Sequence, residues 1–544
     1  MIPSPFVQPA PRPRDGYRDD WLVRSYLGRK LPASVLRDVE PQVAELSALA
    51  AGRLWDLQLA DRGNEPRLLH WDAWGNRVDR IEITPLWQEA ERLAVRFGLT
   101  AIPQEQRHGA WSRVHQFALV HLFHAVTDVY TCPLAMTDGA ARTLLAAGNA
   151  ELIARAVPHL TSRDPHDFWT SGQWMTEATG GSDVGASQTV ARLENGQWRL
   201  FGKKWFTSAA TSQVALTLAR PEGNGPGGSG LAMFYVETRG ADGLLNAIRI
   251  ERLKDKLGTR KVPTAELTLD GTVAHLVAGK THGTRDIEPM LRVTRAWNSV
   301  CAASFLRHGL GLAHDYAAKR QAFGAALADQ PLHRVTLQAL DAESAAAFLL
   351  AFAFVELLGR DEAGELDERG AALLRILTPI AKATTGKQAA AGASELIEAF
   401  GGAGYVEDTG IPVILRDAQV LPIWEGTTNV LALDLLLRTD LASGLDALRA
   451  RVGQAGSAAD PQLQPAGAAA LAAIDHAIRW HRATNDGDAR QAGAREFTLT
   501  LGRGLQLALL VEHATAVTDP QDKAAAVAAC RQFQRLGVDR ITDA

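Results

Sequence analysis

Two segments of the chain combine hydroxyls, glycines and a flat ring in a pattern that suits an aromatic ligand rich in acceptor atoms. Residues 174–183 read WMTEATGGSD, and their hydroxyls and paired glycines leave backbone N–H groups open to phosphate or carbonyl oxygens, although an ordinary loop has a similar composition. In residues 203–208, KKWFTS, Trp205 and Thr207 stand two apart on a predicted strand and would share a face. This pairing suits a flat heteroaromatic cofactor, with simple core packing as the alternative.

Two further segments supply a cation and a carboxylate. Residues 319–324, KRQAFG, end a predicted helix, where Arg320 either binds phosphate through two parallel hydrogen bonds or only caps the helix. Residues 423–429, IWEGTTN, place Glu425 between an aromatic residue and a glycine rather than on a solvated, charged face. Such a carboxylate suits a general base, although on this segment alone a carboxylate that only supports the start of the following helix is the more usual case.

Familiar nucleotide and metal signatures do not occur in the sequence. It has no P-loop ending in Lys-Ser or Lys-Thr, no GxGxxG after a predicted strand and no HExxH. His115, His121 and His124 share one helical segment, and we expect packed or surface histidines there. No metal site is predicted.

The composition is that of a soluble globular protein. The 544 residues are 46% hydrophobic and 22% charged, and 57 Lys or Arg against 61 Asp or Glu give a net charge of −4. At about 150 residues per domain this length predicts three to four domains, and the charge gives no overall attraction to nucleic acid or anionic lipid. Cys132, Cys301 and Cys530 form no CxxC pair, and the longest apolar run, residues 345–355, falls short of the ~20 residues of a membrane span. We therefore expect a cytoplasmic protein without disulfides or a membrane span.

The elements that must position these residues change character twice along the chain. Residues 1–20 read as an irregular arm, and helical patterns then run to about residue 160, interrupted at HWDAWGNRVDRIEITP and broken at Pro133. Between about residues 174 and 270, short alternating runs predict the strands QTVARL, QWRLFGKKWF, VALTLAR, LAMFYVE and AELTLD. Helical patterns then resume, and residues 454–467 have the small, polar composition of a linker before a last helical segment.

Taken together and in this order, the segments resemble the acyl-CoA dehydrogenase family. The shared pattern is MTE and GSD within 175–183, a Trp-x-Thr strand at 205–207, Arg-x-x-Phe-Gly at 320–324, GGAGY at 401–405 and EGT at 425–427. This match covers about residues 85–440. A closer resemblance, to the AidB branch of the family, spans nearly the whole chain through LLHWDAWGNRVDRIEITPLW, CPLAMT, ERLKDKLGTR, IWEGTTN and an added C-terminal helical domain.

The resemblance implies a mainly α protein with a central β-barrel domain. We expect an N-terminal arm and helical domain at residues 1–172, a middle β-barrel domain at 173–285, a four-helix bundle with FAD and catalytic residues at 286–440, and an additional helical domain at 441–544. It also implies non-covalently bound FAD at a subunit interface and a homotetramer.

The resemblance assigns the general base to Glu425. The base removes the α-proton of an acyl-CoA thioester, and the β-hydrogen leaves as hydride to flavin N5. Isovaleryl-type relatives place their base before an arginine of a central helix. Here that pair is Thr294-Arg295, which leaves Glu425 as the base and Arg295 as a candidate substrate contact or a helix surface charge.

The resemblance also implies a set of FAD contacts. Ser182 would line the thioester as well, and Arg320, Phe323, Gln330 and the turn 398–402 would serve the FAD of a neighbouring subunit. Position 398 holds Glu where many relatives have Gln, and Asn429 replaces a longer amide. The residues of the set are Met175, Thr176, Ser182, Trp205, Thr207, Arg320, Phe323, Gln330, Glu398, Gly402, Thr427 and Asn429.

Two functions stay open at the level of the sequence. The first is an FAD-dependent acyl-CoA dehydrogenase for a fatty or branched acyl-CoA, reoxidised by an electron-transfer flavoprotein or another acceptor. The second is an AidB-like, DNA-associated alkylation-stress protein with a protective or vestigial flavin site. Residues 441–544 carry 11 Lys or Arg and 11 Asp or Glu, so we expect DNA binding through them to be weak and salt-dependent. The stretch 249–261 has a net charge of +4 and suits CoA phosphates, DNA or only solvent, with solvent as the default. One helical face can also collect a set of arginines, Arg479, Arg482, Arg490 and Arg495.

Overall fold

Helices account for most of the chain. The computed structural model describes residues 8–437 and 440–542. Its helices are, in chain order, α1 (Trp21–Lys30), α2 (Ala33–Leu49), α3 (Trp55–Asp61), α4 (Pro85–Phe97), α5 (Ile102–Glu105), α6 (Ser112–Phe123), α7 (Thr131–Ala147), α8 (Ala150–Leu160), α9 (Gly283–Asp286), α10 (Glu288–Lys319), α11 (Pro331–Glu362), α12 (Glu368–Ala399), α13 (Pro412–Ala418), α14 (Thr428–Leu437), α15 (Leu441–Ser457), α16 (Gln464–Ala483), α17 (Gly487–Ala492), α18 (Ala494–Ala516) and α19 (Pro520–Arg535).

The strands form two short hairpins and one larger sheet. They are β1 (Arg67–Trp71), β2 (Arg77–Glu82), β3 (Ser171–Trp174), β4 (Val190–Glu194), β5 (Gln197–Thr207), β6 (Val214–Pro221), β7 (Ala232–Glu237), β8 (Ile248–Leu253), β9 (Ala265–Leu276), β10 (Gln321–Ala322) and β11 (Ala325–Ala326). In the larger sheet β6, β4, β5, β9 and β7 pair in a closed ring, because β7 pairs with β6. β3 pairs with β6 and β8 with β9. The predicted β-barrel is therefore present.

The chain divides into two compact units. The helical unit comprises the residues up to 59, residues 107–126 and the residues from 298 onward. In it α11 and α12 pack along each other, and α15, α18 and α19 pack on them. Among the described residues, α11 is the one helix long and apolar enough to cross a membrane, but 78% of its most apolar window is buried. It has the position of a core helix.

The barrel unit comprises residues 60–106 and 127–297. Inward-pointing residues of its strands form the core, among them Trp174, Leu200, Phe234 and Leu267. The β1–β2 hairpin is tied to the barrel at Asp79, whose carboxylate accepts the backbone N–H of Ile250 at 3.1 Å. The loops that follow β3 and β5 begin at strands of this barrel.

Several sequence expectations are corrected in detail. Pro133 does not break a helix: it lies in the first turn of α7, where its missing N–H has no intrahelical partner to lose. The predicted linker at 454–467 is shorter, because α15 runs to Ser457 and α16 begins at Gln464. β3 and β8 are strands that the sequence reading missed. None of the three cysteines forms a disulfide and all three are buried, and burial raises the pKa of Cys530 to about 12.

Candidate active site

Glu425 lies in a tight loop before α14 and has a left-handed backbone conformation. Its φ is 57°, and that of the following Gly426 is 98°. A left-handed conformation costs a non-glycine residue roughly 1–3 kcal/mol and persists only where the surroundings fix it. Such conformations are concentrated at functional sites. The backbone at Glu425 is therefore held in place by its neighbours.

Two side chains from other helices fix the residues on either side of Glu425. Lys382 of α12 is fully buried and donates from Nζ to the carbonyl oxygen of Gly426 at 2.6 Å. Trp424 donates from Nε1 to Oδ1 of Asn298, on α10, at 2.5 Å. The Glu425 side chain itself is half-buried. The loop thus presents a carboxylate from a backbone anchored to both α10 and α12.

Thr427 and Asn429 lie at the start of α14. The backbone N–H of Val430 donates to Thr427 Oγ1 at 3.4 Å, so Thr427 caps the first turn of this helix. Asn429 is exposed. The cap extends the fixed backbone of the Glu425 loop into α14.

Arg320 and Phe323 lie at the start and in the turn of one short hairpin, β10–β11, and Gln330 lies between this hairpin and α11. The turn residues of the hairpin, Phe323 and Gly324, have φ values of 51° and 82°. Gln330 donates from Nε2 to the carbonyl oxygen of Ala322 at 3.1 Å and so ties the hairpin to the start of α11. The Phe323 ring is 98% exposed. The hairpin thus presents the Phe323 side chain to solvent from a backbone conformation that is uncommon for a residue other than glycine.

Glu398 and Gly402 lie at the end of α12 and in the turn that follows. Both are exposed. The turn packs so closely on α12 that a Cβ on Gly404 would lie 2.1 Å from the carbonyl oxygen of Ile397, so only glycine fits there. The GGAGY sequence therefore serves to fold the chain back onto the helix.

In the barrel unit, the MTE segment is held by a buried ion pair. Lys204 of β5 donates to Glu177 Oε1 at 2.8 Å and to the carbonyl oxygen of Leu218 at 2.9 Å. Glu177 also accepts from the hydroxyl of Thr189 at 2.5 Å. Burial alone would raise the pKa of Glu177, but the Lys204 ammonium and these hydrogen bonds bring it below its ordinary value. Glu177 is thus a structural anchor of the loop rather than a free acid.

This anchor positions the expected flavin-lining residues of the loop. Met175 and Thr176 are half-buried and Ser182 is exposed. The N–H of Trp205 donates to the carbonyl oxygen of Thr176 at 3.0 Å, so these two residues lie side by side. Gly181 approaches Thr176 so closely that a Cβ would lie 2.7 Å from its Oγ1.

The strict alternation of a strand predicted that Trp205 and Thr207 would share a face, but the two side chains have different surroundings. β5 has a bulge between Lys204 and Thr207, which interrupts the period-two pattern. Trp205 is half-buried, with Lys254 Nζ 3.5 Å from its ring centroid. Thr207 is buried and donates its hydroxyl to the carbonyl oxygen of Ala265 at 2.5 Å. The Thr207 hydroxyl therefore retains only its acceptor capacity.

The basic stretch 249–261 is neutralised within the barrel unit. Lys261 pairs with Asp61 at 3.0 Å, Arg260 pairs with Glu65 at 2.5 Å, and Lys254 pairs with Glu266 at 2.6 Å. The stretch is structural rather than an open phosphate-binding patch. Arg295, on α10, is half-buried.

The histidines of α6 and its end are packed in the helical unit. His121 and His124 are buried, with Phe348 and Phe305 as aromatic neighbours at centroid distances of 5.0 and 4.2 Å. Burial lowers the pKa of His121 to about 4. Across residues 8–437 and 440–542, no group of three or more His, Cys, Asp or Glu is arranged to hold a metal ion.

Sequence reasoning missed the buried lysines. Lys382 stands in an apolar stretch of α12, between Ala381 and Ala383, and this isolated charge among small residues was the available signal. Lys204 was one of two adjacent lysines, and which of them faces inward depends on the strand register. The hydrogen bond from Lys382 to Gly426 and the ion pair of Lys204 with Glu177 join residues far apart in sequence. Periodicity alone does not reveal such contacts.

Three known protein domains match successive segments of this chain, and two known proteins are similar to most of it. The adaptive response protein AidB N-terminal domain matches residues 9–167, the acyl-CoA dehydrogenase middle domain 172–272, and the acyl-CoA dehydrogenase C-terminal domain 281–439. Acyl-CoA dehydrogenase family member 11 of Caenorhabditis elegans is 42% identical over 441 residues, 79% of this chain and 72% of that protein. AidB of Escherichia coli (strain K12) is 33% identical over 416 residues, 74% of this chain and 73% of that protein.

The fold is shared with a solved structure over almost the whole chain. The crystal structure of Caenorhabditis elegans ACDH-11 in complex with C11-CoA superimposes with a TM-score of 0.93 at 38% identity, covering 97% of this chain and 93% of that chain. Identity and coverage of this order confirm the resemblance found in the motifs. The chain therefore belongs to the acyl-CoA dehydrogenase family, FAD-dependent oxidoreductases that act on CH–CH groups.

Proposed function

We propose that this protein dehydrogenates the α,β-bond of a fatty or branched acyl-CoA, with Glu425 as the general base. The observation that carries the proposal is the fixed backbone of the Glu425 loop, anchored through Trp424 and Gly426. The relative solved with C11-CoA supports a thioester substrate. A scaffold that fixes the backbone on both sides of a carboxylate is suited to proton abstraction.

The residues of the chain fit FAD by the chemistry of their donors. Thr176 and Trp205 lie side by side in the barrel unit and offer a hydroxyl and a ring face, and Met175, Ser182 and Thr207 complete that set. In the helical unit Arg320 offers a guanidinium for phosphate, alongside Phe323, Gln330, Glu398, Gly402, Thr427 and Asn429. When bound, FAD would accept the hydride from the β-carbon at its N5.

The residues of the protein remove the α-proton and orient the thioester towards the base. An α-proton is only weakly acidic, so its removal needs a carboxylate at a fixed distance in a site from which water is excluded. Glu425 would receive this proton on a carboxylate oxygen. Ser182 and Arg295 are proposed to contact the substrate.

The exposed apolar residues of the helical unit support a homotetramer. Phe323 of the hairpin, Leu332 at the start of α11 and Tyr405 after α12 are all largely exposed. These are the side chains that a subunit contact would remove from water. A neighbouring subunit would thereby receive Arg320, Phe323, Gln330 and the 398–402 turn at its FAD. We propose a cytoplasmic enzyme reoxidised by an electron-transfer flavoprotein or another acceptor.

The proposal is tested with the purified, full-length protein. We expect a visible flavin spectrum, and anaerobic titration with acyl-CoAs of several chain lengths and branching patterns should bleach it with one class. Bleaching would identify the substrate class. Bound flavin that no acyl-CoA reduces would contradict the dehydrogenase function and favour the AidB-like role.

Few residues of this chain support the second function, DNA binding by an AidB-like protein. Arg479 and Arg482 are exposed at the end of α16, whereas Arg490 donates to the carbonyl oxygens of Thr484 and His481. With residues 441–544 at net zero, we expect only weak DNA binding that disappears with added salt. Retention of duplex DNA well above physiological salt would contradict this expectation.

A further inference from the structure

A groove with charged residues along its lining lies within the helical unit, outside the residues assigned to the active site. Facing sides of α12 and α18 form its walls, and the cavity volume is about 560 Å³. α18 approaches α12 closely at Gly502, where a Cβ would lie 2.1 Å from Thr384 Oγ1. This volume lies in the range of pockets that bind small molecules, about 300–1,000 Å³.

The groove gathers cations that lack a carboxylate partner. Lys387 of α12, Arg495 of α18 and Arg540 of the C-terminal segment line it. Among the described residues, no carboxylate oxygen lies within ion-pair distance of these three side chains, whereas Arg503 in the same groove pairs with Glu343 at 2.8 Å. Burial and the neighbouring Arg503 lower the pKa of Arg540. A bound phosphate would give these three cations the anionic partner that the described carboxylates do not provide.

The same groove also holds acceptors that the cations do not use. Glu395 and Glu496 line it without an ion pair within the described residues. Carboxylates recognise the hydroxyls of sugars, as an acidic residue does with ribose in dinucleotide-binding folds. The groove therefore offers partners for a phosphate and for hydroxyl groups.

We propose that the groove between α12 and α18 binds a sugar phosphate, with Lys387, Arg495 and Arg540 on the phosphate and Glu395 and Glu496 on the sugar hydroxyls. The proposal does not depend on the dehydrogenase function. A DNA duplex fits less well, because it requires a row of cations along an open face. Here the cations line one groove, and carboxylates lie among them.

The test uses the FAD-loaded, full-length protein and isothermal titration calorimetry at constant ionic strength. The probes are ribose 5-phosphate, ribose and inorganic phosphate. We expect ribose 5-phosphate to bind most tightly, with a Kd below about 1 mM. Lys387→Gln and Arg540→Gln should each weaken that binding about tenfold, as expected for a lost charge-assisted hydrogen bond. Glu496→Gln should weaken ribose 5-phosphate but not phosphate.

Arg479→Gln is the matched control, because Arg479 is an exposed arginine outside the groove. It should leave the Kd unchanged. Three results would each overturn the proposal: no binding of ribose 5-phosphate at 10-fold the expected Kd, equal binding of ribose 5-phosphate and inorganic phosphate, or binding unaffected by both Lys387→Gln and Arg540→Gln. Arg540→Gln keeps the test valid if Lys387→Gln fails to fold.

Discussion

The ammonium of Lys382 donates a hydrogen bond to the carbonyl oxygen of Gly426 across 2.6 Å. Lys382 is fully buried on α12, and Gly426 directly follows the proposed base. Glu425 and Gly426 both have positive φ values, so the loop depends on its surroundings for its shape. Lys382 is therefore a positioning residue: it acts on Glu425 through the backbone.

Replacing Lys382 should impair the chemical step more than binding. Lys382→Met retains the length of the side chain and removes the donor. We expect the rate of flavin reduction by acyl-CoA to fall about 10–100-fold, because small displacements of a catalytic group are costly. The bound FAD and the Kd for acyl-CoA should change little. Arg375→Met, at an exposed position on the same helix, is the control. Parallel losses of FAD and rate in Lys382→Met would show a merely structural role.

The Glu177–Lys204 pair should behave as one unit in the stability of the barrel. Lys204→Met leaves Glu177 buried without its cation, which costs about 3–5 kcal/mol and lowers Tm by roughly 10 °C. Glu177→Gln should also destabilise the protein. The double variant leaves no unpaired charge, so we expect its loss to be smaller than the sum of the two single losses. Additive losses in thermal unfolding would argue against coupling.

Buried His121 should make the stability of the helical unit depend on pH. Burial lowers its pKa to about 4, whereas a histidine of the unfolded chain titrates near 6.5. The unfolded state therefore takes up the proton first as pH falls. The stabilising contribution is complete above about pH 6.5 and is lost progressively towards pH 4, by up to about 3 kcal/mol.

Substitution of His121 tests this pH dependence. His121→Gln retains a polar side chain that does not titrate, so the fall in Tm between pH 6.5 and 4.5 should become shallower. His166→Gln alters an exposed histidine and should leave the slope unchanged. An unchanged slope in His121→Gln would show that other groups govern the acid lability.

Phe323 should be required for assembly. Its ring is 98% exposed in one subunit, on a turn with positive φ. Phe323→Asp would place a charge in the proposed contact, and we expect smaller assemblies by light scattering and faster loss of FAD. Trp74→Asp, at a ring that is 90% exposed in the barrel unit, is the matched control. An intact assembly in Phe323→Asp would remove this residue from the interface.

The sequence predicted local elements well and long-range contacts poorly. The alternating run QWRLFGKKWF is β5, and the motif IWEGTTN forms the loop before α14 and the first residues of that helix, because periodicity and turn residues are local signals. The bulge that separates Trp205 from Thr207 depends on pairing with β9, which the strand sequence does not contain. The bonds of Lys382 and Lys204 join separate elements in the same way. The exposure of Phe323 becomes evident only once the helical unit is folded.

The most direct test of the account is the anaerobic stopped-flow reduction of bound flavin by the best acyl-CoA, in wild type and in Glu425→Gln. Glu368→Gln, an exposed carboxylate at the start of α12, is the control. We expect Glu425→Gln to retain FAD and to bind the acyl-CoA, while flavin reduction slows by about 10²–10⁴-fold, the usual contribution of a general base. Flavin reduction within tenfold of wild type in Glu425→Gln would contradict the assignment of the base.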